Sequence, residues 1–116
     1  MSTNATIAIK EKGKTLCNLY VHWDGYWDGL GKDIVNIISK GKLQNGLGGD
    51  RTLGSQFNGG GCLAATLIAK LKTEPGNVYL TDSDTEDKLN HYDIKINEYD
   101  VELYHNKELK WDNLNS

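Results

Sequence analysis

"TIAIKEKGKTLCNLYVHW", residues 6–23, decides how the chain begins to fold. Ile7 and Ile9 alternate with polar neighbours, "EKGK" supplies a turn, and Cys17, Leu19 and Val21 carry one face onward. Such period-two alternation on both sides of a glycine turn predicts a β-hairpin. Leu16, Asn18, Tyr20 and His22 then share the opposite face.

The pattern changes after His22. "HWDGYWDG", residues 22–29, sets three aromatic residues around two Asp-Gly steps. "LGKDIVNIISK" then places Leu30, Ile34, Ile37 and Ile38 at helical spacing, with Asp28 as the expected N-cap and Gly41 as the stop. Between Gly25 and Gly61 lie 11 of the chain's 13 glycines, so residues 41–61 are too glycine-rich for a regular element and are expected to turn tightly. "CLAATLIAKLK" makes a second helix, burying Leu63, Leu67, Ile68 and Leu71, and "TEPGN" ends it.

"VYLTD" reads as a short strand. In "HYDIKINEYDVELYHNKELKW", Tyr92, Ile94 and Ile96 alternate with Asp93, Lys95 and Asn97; Val101 and Leu103 continue the strand, "HNKE" turns it and "LKW" returns. The expected order is β-β-α-α-β-β-β. Strands and helices are segregated rather than alternating, which predicts an α+β fold with an antiparallel sheet and two helices. At 116 residues the chain is one domain, 1–116, with a tail from about residue 110 expected to hang loose.

Composition narrows the function. With 38% hydrophobic residues a modest core is within reach, and 25% charged residues suit a soluble domain. No leader-like apolar segment opens the chain, and no run approaches the roughly 20 apolar residues of a membrane span. The reading is a cytoplasmic protein with no membrane partner. Net charge is −3 and Arg51 is the sole arginine, which argues against double-stranded DNA as a partner. Cys17 and Cys62 lack CxxC spacing and read as small buried apolar residues of a reducing compartment.

Two segments invite a ligand. In "NGGGCLAAT", Asn58, Gly59, Gly60 and Gly61 open directly into a helix whose first N–H groups suit a phosphate or carboxylate, with Arg51 just upstream. No GKS or GKT follows, so this is not a P-loop. In the aromatic turn, a base stacked between indole or phenol rings, of which Tyr26 and Trp27 lie in the turn itself, would find an acceptor in Asp24 or Asp28. Trp23 follows Val21 onto the core face. Together His22, Asp24, Tyr26, Trp27, Arg51, Asn58 and Gly59–Gly61 form the candidate ligand site, where Tyr26→Ala and Arg51→Ala are expected to weaken binding more than they lower stability.

Catalysis and metal binding find less support. Cys17 and His22 fall on opposite faces of one strand, and His91 and His105 lack zinc spacing. "DSDTEDKLNHYD" supplies Asp82, Asp84 and Glu86 at calcium-loop positions, then has Asp87 where glycine is needed and Asp93 in place of a bidentate glutamate. No catalytic residue, metal or cofactor is assigned.

"HWDGY", followed by the "GLGKDI" of residues 29–34, then "LAATLIAKLK" and the closing "VYL…YDIKI", resembles short uncharacterised proteins of phages, prophages and bacterial genomes across residues 15 to about 100. That family's pattern has proline after the tyrosine, where this chain has Trp27. The resemblance implies a small α+β domain carried by mobile elements and transfers no catalytic residue. It places the leading reading, a non-catalytic binding protein, in host–phage conflict (an anti-defence role). Its partner is a sequestered nucleotide-type signal or an occupied host defence protein, and homo-oligomers are allowed. The alternative is a small hydrolase of phosphodiester or nucleotide substrates using His22 with Asp24 or Asp82. A third reading, an acidic module that mimics nucleic acid, rests only on "DSDTED".

Overall fold

The first hairpin forms as its alternation dictates. In the computed structural model, which describes residues 3–82 and 90–114, β1 (Ala5–Glu11) pairs antiparallel with β2 (Lys14–Val21). The two-residue turn puts Lys12 at φ 52° and Gly13 at φ 80°. Two consecutive left-handed residues match the right-handed twist of the flanking strands.

β1 then becomes an inner strand of a six-stranded sheet ordered β5-β2-β1-β6-β7-β8. β5 is Val78–Thr81, β6 Asn90–Asn97, β7 Asp100–His105 and β8 Glu108–Asp112. Every pair is antiparallel except β1 with β6, which run parallel and set Thr6 beside His91 and Ile7 beside Tyr92. The stretch read as one strand through Val101 and Leu103 is a hairpin. Glu98, at φ 60°, turns it between β6 and β7. A second turn with Asn106 and Lys107 both at positive φ returns β8, so residues 110–112, expected in a loose tail, lie in a strand. Beyond it, Asn113 accepts from Val101 N–H through Oδ1 and donates to Tyr99 O.

The sheet's two faces differ in chemistry. Ile7, Ile9, Leu19, Val21, Tyr92, Ile94, Ile96 and Leu103 face the helices and bury completely or nearly so. They pack against Ile34 and Ile38 of α1 (Lys32–Ile38) and Leu63 and Leu67 of α2 (Gly59–Leu71). Each such aliphatic side chain contributes about 1.5–3 kcal/mol on burial. Ile37, Ile68 and Leu71 are half-buried at the margin.

The expected absence of regular structure in the glycine-rich segment is corrected by a small parallel pair, β3 (Lys42–Gln44) with β4 (Gln56–Asn58). Leu43 and Phe57 supply the reason, since both bury in the common core. Gly41 lets Phe57 in: a Cβ there would meet the ring at 2.4 Å. Asp28 does not cap α1. A five-residue π-turn, Trp27–Gly31, leads into the helix, and its N-terminal flank carries no side-chain cap bond.

Candidate functional site

β2 stops at Val21, and that ending governs the aromatic turn. His22 N–H donates to Asn77 O at 3.0 Å, then Asp24 turns the backbone left-handed at φ 59°. Asp24 O accepts from Leu30 N–H at 2.9 Å, closing the loop. Gly25 presses on the start of β1, where a Cβ would meet that of Ala5 at 2.7 Å. Tyr92 OH donates to Gly25 O at 2.7 Å, and burial raises the phenol's pKa, keeping the proton on the donor.

The two indoles exchange the places expected of them. Trp27 is half-buried, its ring lying so close on Gly31 that a Cβ there would meet it at 2.1 Å. It stacks with His105 at 5.9 Å and Tyr92 at 6.5 Å between ring centres, and the Lys32 and Lys110 ammonium groups stand 5.5 and 5.3 Å from the indole. Burial, then Lys110, lowers the His105 pKa, so the imidazole in this stack is neutral near pH 7. The strand's alternation, continued past Val21, puts Trp23 in the core. The strand ends first, and Trp23 is 37% exposed with its ring edge-on to His22. Tyr26 is exposed as expected.

Trp23 and Asp24 border a cleft of about 420 Å³ between the turn, α1 and the end of α2. Its floor includes Leu30, Ile37 and Leu71, and its charged lining is Asp24, Asp33 and Glu74 against Lys70. Three carboxylates to one ammonium favour groups that donate hydrogen bonds or carry positive charge, and disfavour phosphate.

The other predicted residues lie elsewhere. Gly60 N–H donates to Glu11 Oε2 at 3.2 Å, so the chain's own carboxylate sits at the start of α2. The physics of an anion at a helix N-terminus is satisfied from within. Asn58 Oδ1 accepts from Gly46 N–H at 2.7 Å. Arg51 is exposed in the loop joining β3 to β4 and does not line the cleft. Glu11 and Ala5 are the two ends of β1, about 20 Å apart at strand rise. The aromatic turn and Gly59–Gly61 therefore do not converge on one pocket.

His22 Nδ1 is 3.0 Å from Tyr20 OH, and among the described residues no hydrogen bond joins His22 to Asp24. Most of the acidic loop expected to resemble a calcium site, including Asp84, Glu86 and Asp87, lies outside the described residues. Its last position, Asp93, serves a buried chain instead. No family model, curated protein or solved structure matches this chain.

That chain was missed in the sequence. On the face away from the helices, Thr6 Oγ1 lies 2.7 Å from His91 Nδ1, and His91 Nε2 lies 3.3 Å from Asp93 Oδ1. Lys10 Nζ stands 3.5 Å from the same carboxylate oxygen. The consistent proton assignment has Thr6 donating to Nδ1 and Nε2–H donating to Asp93. A hydroxyl, imidazole and carboxylate in series have the composition of a catalytic triad, but Thr6, His91 and Asp93 are all buried. The geometry makes it a polar clamp between β1 and β6. His91 and Asp93 at i and i+2, on one face of a predicted strand, were the available signal.

Proposed function

We propose that the protein is a non-catalytic binding protein whose ligand enters the cleft beside the "HWDGY" turn. The observation that supports this reading is the exposed indole of Trp23 on the rim of a cleft with an apolar floor and mostly acidic walls. Aromatic surface plus a few convergent polar groups is the usual composition of a small-molecule site. The acidic lining favours a nitrogen-rich ligand: a nucleobase or nucleoside presenting its N–H edge, or an amine. For a nucleotide-type signal, the base faces Trp23 and the carboxylates while the phosphates point to solvent. The resemblance to phage and prophage proteins supports a setting in host–phage conflict, where holding such a molecule withholds it from a host defence protein.

The test is a thermal-shift panel of nucleosides, mono-, di- and cyclic nucleotides, ADP-ribose derivatives and diamines, with each hit re-examined by mass spectrometry. The expected result is a raised melting temperature with intact ligand, lost in Trp23→Ala. A turned-over ligand would establish an enzyme instead. No shift at millimolar concentration, or a shift that Trp23→Ala preserves, would end the cleft reading.

A further inference from the structure

The two edges of the sheet differ in chemistry. β8 presents Glu108, Lys110 and Asp112, charges of the kind that keep an edge from pairing. β5 reads Val-Tyr-Leu-Thr and carries none. Leu80 on it is 72% exposed, more than any other large apolar side chain among the described residues.

The β2–β5 ladder fixes which backbone groups look outward. His22 N–H donates to Asn77 O, and these residues lie opposite each other in the register that continues from Val21 and Val78. Directly opposite residues joined this way alternate along an antiparallel ladder with residues whose groups face away. Asn77 and Tyr79 therefore point their N–H and C=O at β2, while Val78 and Leu80 point theirs out. One outward group is already taken: Lys72 Nζ donates to Val78 O at 2.9 Å.

We propose that this edge is a self-association surface, on which a second copy of the chain pairs its β5 antiparallel to the first about a twofold axis beside Leu80. An axis perpendicular to the sheet keeps the helix-bearing faces on the same side, so a residue must meet one of its own pleat parity. Leu80 opposite Leu80 meets that condition, and each Leu80 N–H then donates to the other copy's Leu80 C=O. The two exposed leucine side chains meet across the axis.

Charge fits the same register. Val78 of one copy falls opposite Asp82 of the other, which brings the Lys72 ammonium, anchored on Val78 O, beside that carboxylate. Symmetry makes this pair twice. A register centred on Tyr79 would set Val78 opposite the other copy's Leu80 and leave the Lys72 ammonium without that carboxylate. Lys72 thus selects the register, and the edge complements itself in backbone groups, apolar surface and charge. The proposal is independent of what the cleft binds.

Light scattering after size exclusion, over micromolar to millimolar chain, tests it. The expected mass is twice that of the chain, falling to the single mass on dilution. Leu80→Lys, at an exposed position, should keep the melting temperature of the dissociated chain and weaken association by about tenfold or more. Lys72→Asp and Asp82→Lys should each weaken it, and the double exchange should restore it. A single mass at every concentration would overturn the proposal, as would a dimer indifferent to Leu80→Lys. A double exchange weaker than either single variant would overturn the register.

Discussion

His91 Nε2 stands 3.3 Å from Asp93 Oδ1, both residues on β6 and both buried on the sheet face away from the helices. With Thr6 on the ring's other nitrogen, one imidazole fastens β6 to β1, the one parallel pair in the sheet. The His91 hydrogen bond leads the causes that lower the Asp93 pKa, opposed by burial and aided by Lys10. A depressed carboxylate adds stability above its unfolded pKa of about 4, and loses it as pH falls through the lower folded value. The wild-type melting temperature should therefore fall below about pH 4 more steeply than that of Asp93→Asn. At pH 7 Asp93→Asn should cost about 1–3 kcal/mol, read by denaturant unfolding. Parallel pH profiles for the two proteins would show that the clamp carries no linked proton.

The two tryptophans of the turn should separate stability from binding. Trp27→Ala removes a ring packed on Gly31, Tyr92 and His105, and should cost about 3 kcal/mol, the low end for a large aromatic truncated in a core. Trp23→Ala should change stability by about 0.5 kcal/mol or less, as exposed positions do. Paired urea titrations decide this, and equal losses would return Trp23 to the core.

Gly31→Ala tests the same contact from beneath. Its Cβ would arrive 2.1 Å from the Trp27 ring, forcing the indole off its seat. A loss of about 1–3 kcal/mol is expected from such overpacking. In the double variant with Trp27→Ala the two costs should fall well short of additive, because the clash has gone.

The first hairpin was legible because alternation, the Lys12–Gly13 turn and the apolar face all lie within 17 residues of one another, Ala5 to Val21. The helices were legible for the same reason, each carrying its own periodicity. What stayed hidden depends on partners far along the chain. Thr6 and His91 are 85 positions apart, and Glu11 and Gly60 are 49. No local pattern announces such contacts. Trp23 was misplaced because alternation does not say where a strand stops, and Glu98 hid a turn because glutamate is an unusual residue at positive φ. The cleft was half visible: Trp23 and Asp24 belong to the turn singled out in the sequence, while Asp33, Lys70 and Glu74 arrive from the helices and the segment after α2.

The start of α2 offers a last test, with neighbouring positions expected to respond in opposite directions. Glu11→Ala removes the carboxylate that accepts from Gly60 N–H, leaving a helix N-terminus without its anion, and should cost about 1 kcal/mol. Gly60→Ala should also destabilise, because its Cβ would stand 2.7 Å from that carboxylate and push it away. Gly61 has nothing within 4 Å of a Cβ and lies within the helix, so Gly61→Ala should stabilise by up to about 1 kcal/mol. Thermal melts of the three variants give the signs directly. If added phosphate stabilised the Glu11→Ala protein and not the wild type, the helix end would be an anion site that Glu11 keeps filled. If Glu11→Ala melted like the wild type, the bond to Gly60 would carry no net stability.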